Sequence, residues 1–168
     1  MKSNLVLIGM PGAGKSTIGV LLAKKLNFEF IDTDLLIQSQ QNRSLQDIID
    51  SEGYMELRKI ESDSLKNLNC TRSLISTGGS AVYSPEGMKN LKKIGTIVFL
   101  DVSYDEIVRR IGDFSQRGIA MAENQTFEDL YNERNKLYNQ YSELTIDCNQ
   151  LTQDELCDHI AQKYKNLL

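Results

Sequence analysis

The chain of 168 residues contains no tryptophan, one histidine and only three cysteines. Cys70, Cys148 and Cys157 are odd in number and widely spaced, without a CxxC pair, so they favour neither a disulfide framework nor a zinc site. Reduced thiols of this kind indicate a reducing compartment, and we expect a cytoplasmic protein. The single histidine, His159, follows no metal-binding pattern and is interpreted as an ordinary helix residue.

An excess of basic residues and a long apolar run are also missing. Lys and Arg number 19 against 23 Asp and Glu, which gives a net charge of −4 and a pI of about 5.1. This balance disfavours nucleic acid as a partner, because phosphate backbones are bound by basic surfaces. The longest apolar runs are only as long as a strand, and the first residues lack the pattern of a signal peptide. We therefore expect no membrane partner.

The spacing of apolar residues predicts the α/β class. Short aliphatic runs at residues 5–8, 28–31, 74–76, 96–100 and 144–146 alternate with longer amphipathic stretches. This alternation is typical of βαβ units on a parallel sheet, here in a single domain of residues 1–168. Helix starts are predicted at Ser84, which precedes a proline, and at Thr126 and Thr152, each with an acidic residue three positions later. The irregular stretch at about 112–125 is predicted to be a lid.

Residues 9–17, GMPGAGKST, match the P-loop pattern between an apolar strand and a helix. Gly12 and Gly14 let backbone N–H groups converge on a phosphate, and the start of a helix favours an anion. Lys15 can place its cation against the β- and γ-phosphates, while Ser16 can offer a hydroxyl to Mg²⁺. The alternative, a glycine-rich turn without a ligand, is disfavoured by the strand and helix on either side.

The motifs of a GTPase are incomplete. The only Asn-Lys pair, Asn135-Lys136, is followed by Tyr138 where a guanine-binding pattern needs Asp. A loose DxxG pattern ends at Gly53, but it lies in a helical stretch with no apolar strand before it. These departures favour a small kinase, which needs an acceptor-side carboxylate, cations and a cover against water.

Asp32 and Asp34 follow the second predicted strand, where ligands of open α/β sheets collect. Two residues apart in an extended segment, both carboxylates face the same side. Asp32 can hold Mg²⁺ through water, and Asp34 can accept a hydrogen bond or a proton from a substrate hydroxyl. Either residue could instead simply cap the helix that follows.

Two further motifs can be interpreted either as parts of a binding site or as ordinary structural features. Arg58 and Glu61 lie three residues apart on one predicted helical face, where a surface ion pair is the simplest interpretation. Gly78 and Gly79 end the third predicted strand, which allows either close approach of the backbone to a ligand or merely a tight turn.

Taken together, these motifs resemble the shikimate kinase family, small P-loop kinases of aromatic amino acid biosynthesis. The similarity runs nearly end to end through GMPGAGKST, FIDTD, ELRKIE, STGG, Arg110 before Gly112, Arg117, and Glu133-Arg134 followed by Tyr138. It implies a five-stranded parallel sheet flanked by helices, a fold like that of nucleoside-monophosphate kinases. It also implies a mobile lid at about 112–125, a substrate-binding region at about 33–61, and transfer of the ATP γ-phosphate to the 3-hydroxyl of shikimate.

The resemblance also implies roles for individual residues on the nucleotide side. Lys15 and Arg117 would neutralise the charge of the transferring phosphoryl group, with Arg117 reaching it when the lid closes. Arg110 would lie against the adenine face. Mg²⁺ would be held by Ser16 and Asp32. The residues that would bind ATP are Gly12, Ala13, Gly14, Lys15, Ser16, Thr17, Arg110 and Arg117.

On the acceptor side, Asp34 would bind the shikimate hydroxyls and act in catalysis, together with Lys15 and Arg117. The shikimate carboxylate suits guanidinium groups. Glu61 would orient Arg58. The residues implied to bind shikimate are Asp34, Arg58, Gly78, Gly79 and Arg134.

Three positions depart from the family pattern. Ser80 stands where the family has a third glycine, and we expect its side chain to narrow the pocket or shift the loop. Gly118 replaces a proline after the lid arginine, which predicts a more flexible lid, and Lys136 replaces a second proline.

The prediction is thus an ATP- and Mg²⁺-dependent kinase that is cytoplasmic and monomeric. One alternative is a related small-molecule kinase such as gluconate kinase, which has no comparable need for two arginines facing one carboxylate. The other is a non-catalytic ATP-binding regulator, which the intact Lys15, Asp32, Asp34 and Arg117 disfavour.

Overall fold

A computed structural model describes residues 2–112 and 118–166. Its sheet has five parallel strands in the order β2-β3-β1-β4-β5. The strands are β1 (Asn4–Ile8), β2 (Glu29–Asp32), β3 (Ser73–Ser76), β4 (Gly95–Asp101) and β5 (Leu144–Asp147). Each lies within about a residue of its predicted run, so the predicted α/β class with a five-stranded parallel sheet is confirmed.

Eight helices are present in the described residues: α1 (Lys15–Leu26), α2 (Thr33–Gln41), α3 (Leu45–Glu52), α4 (Tyr54–Asn67), α5 (Pro85–Ile94), α6 (Tyr104–Ile111), α7 (Phe127–Tyr141) and α8 (Gln153–Lys165). A short 3₁₀ turn covers Ala81–Tyr83. All three predicted helix starts are confirmed. Ser84 accepts a hydrogen bond from the Gly87 N–H, and complete capping boxes open α7 and α8.

The strands that precede the predicted site residues end at one level of the sheet. Leu7 of β1 and Asp32 of β2 both align with Ser76 of β3. Because the strands are parallel, the loop after β1, the carboxylates after β2 and the glycines after β3 meet at one edge of the sheet.

The apolar interior divides into two parts. The main core surrounds β1, whose five residues are all buried. A smaller cluster joins Ile37, Ile48 and Leu57 of helices α2, α3 and α4 to Ala120. This second cluster supports the region predicted to bind substrate, at about 33–61, and attaches residues after 117 to it.

Residues outside the sheet and the phosphate loop differ in their exposure. Met88 on α5 is fully buried, whereas Met55 on α4 is 60% exposed. His159 is exposed on α8, as expected for a plain helix residue. Residues 118–125 contain neither helix nor strand. The lid at about 112–125 stays a prediction, and part of it, with Arg117, lies outside the described residues. Within the described ranges, no helix is long and apolar enough to cross a membrane.

Candidate active site

The loop between β1 and α1 is shaped by glycines with positive φ. Gly9, Gly12 and Gly14 have φ values of 148°, 81° and 90°. A side chain at Gly12 would place its Cβ 2.8 Å from a carbon of Ile111, so space as well as conformation requires glycine there. Gly14 is the N-cap of α1 and makes no side-chain capping bond, which leaves the start of the helix suited to an anion.

Lys15 is buried inside this loop. Its Nζ donates hydrogen bonds to the carbonyl oxygens of Gly9 at 2.7 Å and Met10 at 2.8 Å. Burial lowers the pKa of Lys15 to about 8, although the nearby Asp34 carboxylate opposes this shift. The ammonium is therefore held within the loop, where a phosphate oxygen can replace a carbonyl as its partner.

Asp32 uses its two carboxylate oxygens for different purposes. Oδ1 accepts hydrogen bonds from the N–H groups of Asp34 at 3.0 Å and Leu35 at 3.2 Å, which caps α2. Oδ2 accepts a hydrogen bond from the Ser16 hydroxyl at 2.5 Å. Asp32 can therefore cap α2 through Oδ1 and still offer Oδ2 to a metal ion.

Ser16 and Asp32 together fit a magnesium ion. A hydroxyl and a carboxylate oxygen in contact beside a phosphate loop are the hard oxygen donors that Mg²⁺ prefers, with phosphates and water completing its coordination. Within the described ranges, no cluster of three or more His, Cys, Asp or Glu side chains could hold a metal by itself. A metal at Ser16 and Asp32 would therefore depend on the phosphates of a nucleotide.

Asp34 lies in the first turn of α2 and faces the same space. Burial raises the pKa of its carboxyl to about 6, partly offset by Lys15. A carboxyl with this pKa is ionised at neutral pH and still basic enough to accept a proton.

The two glycines after β3 are required by crowding rather than by positive φ. A Cβ at Gly78 would collide with the Glu61 and Asp34 carboxylates, and one at Gly79 would lie 2.8 Å from the Arg134 guanidinium. The Gly78 N–H already donates to the Thr33 hydroxyl at 3.1 Å. The absence of side chains at Gly78 and Gly79 thus allows charged groups to pack against the turn. The glycines therefore do more than form a tight turn, which was the simpler interpretation.

Arg58 on α4 and Arg134 on α7 contact the same backbone carbonyl. Their NH2 groups approach the carbonyl oxygen of Ala120 at 3.4 and 2.8 Å, and the Arg58 guanidinium lies 3.7 Å from the ring centre of Tyr83. Arg134 is almost fully buried, at 1% exposure. The Nε atoms of both arginines are buried without a hydrogen-bond partner in the described residues, so both guanidinium groups keep a donor that an anionic ligand could use.

Glu61 and Arg58 do not form the ion pair predicted from their spacing, although the structure describes both residues. Glu61 is buried, at 3% exposure, and its Oε2 accepts a hydrogen bond from the Ser80 hydroxyl instead. The simpler prediction, a surface ion pair between Arg58 and Glu61, is also wrong, because Glu61 is buried and bonds to Ser80. Arg58 turns toward Tyr83, because an aromatic face and a backbone carbonyl satisfy it there. Burial, together with the Asp34 charge, raises the pKa of Glu61 to about 7.

One cavity of about 450 Å³ brings the two sides together. The predicted site residues that line it are Gly12, Gly14, Lys15, Ser16, Thr17, Asp34, Gly78, Gly79, Arg110 and Arg134. Ala13 is buried behind the loop, Asp32 reaches the cavity through Ser16, and Arg58 lines an adjoining cavity. Arg110 lies near the phosphate loop, 3.4 Å from the Gly12 carbonyl, and also contacts Glu106.

Gly118 departs from the expectation of a flexible segment. Its φ is +61°, its N–H donates to the Gln46 side chain at 2.9 Å, and a Cβ would lie 2.7 Å from Leu45. The described end of the predicted lid is therefore fixed on α3, and glycine serves close packing there. The adjacent Arg117 lies outside the described residues.

Two tyrosines contribute in ways that the sequence did not indicate. Tyr83 supports the guanidinium groups of both arginines and donates a hydrogen bond to Glu133. Tyr138 donates a hydrogen bond to the Gly79 carbonyl at 2.6 Å and so fixes the glycine turn. The spacing of Arg134 and Tyr138 by one helical turn was a usable signal, whereas the position of Tyr83 offered none.

The fold and site define a P-loop kinase whose second substrate is a small anionic molecule. A phosphate loop, a carboxylate and Arg134 share one cavity at the carboxyl edge of a parallel sheet, and Arg58, from an adjoining cavity, contacts the same backbone carbonyl as Arg134. The family model for shikimate kinase matches residues 11–165. The chain belongs to the shikimate kinase family.

Individual relatives agree with this assignment. The chain is 35% identical to a shikimate kinase of Thermodesulfovibrio yellowstonii over 167 residues, covering 98% of this chain and 96% of that protein. It is 34% identical to one of Actinobacillus pleuropneumoniae, covering 99% and 98% of the two chains. A solved structure of shikimate kinase from Acinetobacter baumannii in complex with shikimate superposes with a TM-score of 0.90 at 29% identity, covering 99% of this chain and 95% of that one.

Proposed function

We propose that this enzyme transfers the γ-phosphate of ATP to the 3-hydroxyl of shikimate, giving shikimate 3-phosphate and ADP, in aromatic amino acid biosynthesis. The observation that supports this most strongly is the single cavity in which Lys15, Asp34 and Arg134 face one another. Shikimate carries one carboxylate and a ring of hydroxyls, and these groups match a guanidinium on one side and a carboxylate on the other.

On the nucleotide side, the loop at 9–17 would bind the ATP phosphates through its backbone N–H groups. Lys15 would exchange its bonds to the Gly9 and Met10 carbonyls for bonds to phosphate oxygens. Ser16 and Asp32 would hold Mg²⁺, whose role is to neutralise phosphate charge. Arg110 and Arg117 would complete the nucleotide site, with Arg117 acting from the lid over the transferring group.

On the acceptor side, the shikimate carboxylate would replace the Ala120 carbonyl as the partner of Arg58 and Arg134. A carboxylate can also satisfy their unpaired Nε atoms, which one carbonyl oxygen does not. Asp34 would bind the ring hydroxyls, and Gly78 and Gly79 would provide the space for this approach. The acceptor would thus be oriented by its two chemically different ends.

The transfer follows from this arrangement. The 3-hydroxyl oxygen forms a bond to the γ-phosphorus, the bond from that phosphorus to the β–γ bridging oxygen breaks, and ADP keeps the electron pair. The hydroxyl proton passes to Asp34, whose pKa of about 6 suits an acceptor near neutral pH. Because the transition state is loose, positioning of the hydroxyl is the larger part of this role, while Lys15 and Arg117 stabilise the phosphoryl charge.

The same proposal includes a monomeric enzyme that works in the cytoplasm. The reduced cysteines expected from the sequence support that compartment.

The test is ADP release from ATP and Mg²⁺ with shikimate or gluconate supplied separately. We expect stimulation by shikimate alone and its loss in Lys15→Ala. Stimulation by gluconate would require new roles for Arg58 and Arg134. ATP turnover unaffected by either acceptor would favour a non-catalytic regulator. Sedimentation at working concentrations tests the monomer.

A further inference from the structure

Ser80 occupies a position where its family has glycine, and its hydroxyl is not idle. The side chain is 9% exposed and lines the cavity beside Gly79. Its Oγ donates a hydrogen bond to Oε2 of Glu61 on α4, nineteen residues away in sequence. This bond connects the glycine turn after β3 to the helix that carries Arg58.

The other oxygen of Glu61 is unused. Oε1 is buried without a hydrogen-bond partner in the described part of the chain, and Glu61 lines the same cavity. Both Glu61 Oε1 and Asp34 Oδ1 border the space left free by the missing side chain of Gly78. A buried carboxylate oxygen without a donor is costly unless a ligand provides one.

We propose that Ser80 is a positioning residue, which holds the Glu61 carboxylate so that Oε1 accepts a hydrogen bond from a ring hydroxyl of the phosphoryl acceptor. The hydroxyl concerned is one that is not phosphorylated, since Asp34 serves the reacting one. This inference rests on the proposed function, because shikimate supplies the hydroxyl groups. Ser80 binds Oε2 of Glu61, the oxygen that could otherwise face Arg58. Arg58 packs on the ring of Tyr83 instead.

Charged groups on three neighbouring helices influence the ionisation of Glu61. Asp34 on α2 opposes ionisation of Glu61, while Arg134 on α7 and Lys15 on α1 favour it, and burial raises its pKa to about 7. The Ser80 hydrogen bond acts in the opposite direction to burial, because it stabilises the ionised form. Loss of this bond should therefore raise the pKa of Glu61 further.

The first experiment compares Ser80→Ala and Ser80→Thr with the wild type in steady-state assays with shikimate. We expect Ser80→Ala to raise the KM for shikimate about 5- to 30-fold, with kcat and the KM for ATP changed less than about twofold. The acid limb of kcat/KM for shikimate should move to higher pH, and Ser80→Thr should restore both quantities. Thr152→Ala removes another hydroxyl-to-glutamate bond, in the capping box of α8, and should leave the KM unchanged.

The second experiment tests whether Ser80 acts through Glu61 and the substrate. In a Glu61→Ala background, Ser80→Ala should add no further loss. With 4-deoxy- and 5-deoxyshikimate as acceptors, the effect of Ser80→Ala on KM should disappear for the analogue that lacks the bound hydroxyl. Circular dichroism and the KM for ATP verify folding of each variant.

An unchanged KM for shikimate in folded Ser80→Ala would overturn the proposal while the wild-type kinase activity stands. Equal effects of Ser80→Ala with shikimate and with both deoxy analogues would also overturn it. A wild type that does not phosphorylate shikimate would overturn the proposed function, and this inference with it.

Discussion

Arg58 on α4 and Arg134 on α7 direct their guanidinium groups at one atom, the carbonyl oxygen of Ala120. Two cations sharing one neutral acceptor are less well satisfied than the same cations sharing a carboxylate. Ala120 belongs to the second apolar cluster, so the segment that follows residue 117 already rests against the place proposed for the acceptor. The acceptor carboxylate would compete with this segment for the same two arginines.

Arg134→Lys tests this arrangement. A lysine retains the charge but loses the planar fork of donors, so we expect the KM for shikimate to rise about 10- to 100-fold. The KM for ATP should change little, because Arg134 lies on the acceptor side. Arg109→Lys, on the exposed end of α6, is the matched control and should behave as the wild type. A parallel rise in both KM values in Arg134→Lys would indicate a general distortion of the site.

Asp34→Asn removes the negative charge while keeping the shape of the side chain. We expect turnover to fall by at least about 10³-fold, because the acceptor hydroxyl loses both its orientation and its proton acceptor. Binding of ATP, measured by fluorescence titration or calorimetry, should persist within a few-fold. A folded variant with near-normal turnover would contradict the role of Asp34.

Arg117→Ala tests a residue whose role comes from the sequence alone. If Arg117 stabilises the transferring phosphoryl group, kcat should fall by about 10²- to 10⁴-fold. The KM for shikimate should rise by a much smaller factor. The measurement is a full set of initial rates at varied shikimate and saturating ATP. Comparable changes in kcat and KM would place Arg117 outside the transition-state contacts.

Glu61→Gln should make the protein without ligands more stable at pH 8. The folded chain binds the Glu61 proton more tightly than the unfolded chain, so this group stabilises the fold fully below about pH 4.5. That contribution is lost as the pH rises through about 7. We expect Glu61→Gln to raise the Tm at pH 8 by about 2 to 8 °C and to have little effect at pH 4.5.

Thermal unfolding at pH 4.5 to 8 is the measurement, and Glu123→Gln, at an exposed glutamate, is the control. The range stops at pH 8 because Lys15, with its pKa lowered to about 8, contributes the opposite slope above that value. A Tm gain that is the same at pH 4.5 and pH 8 would exclude burial of the Glu61 charge as its cause.

Local patterns explain why much of the fold was predictable. The aliphatic run before Gly9, the proline after Ser84 and the acidic residue three positions after Thr126 each determine structure through their immediate neighbours. The phosphate loop was predictable for the same reason, since its glycines and Lys15 act within a few residues of one another.

The rest of the site depends on contacts between distant segments. The three-residue spacing between Arg58 and Glu61 favoured a pair between these two residues. Glu61 bonds to Ser80 instead, and this bond forms only when α4 packs beside the turn after β3. Likewise, no spacing rule links Arg58 to the carbonyl of Ala120, 62 residues away. Backbone carbonyls carry no signal in the sequence, so a site that uses one as a partner cannot be predicted from side-chain patterns.

Gly118 also restricts how this sequence can change. Proline, which the family resemblance led us to expect there, requires φ near −65°, whereas Gly118 has φ +61° and donates its N–H to Gln46. A substitution of Gly118 by proline would therefore lose a hydrogen bond, clash with Leu45 and force the backbone to the opposite sign of φ. A segment that carries proline at this position should therefore be introduced together with changes in α3.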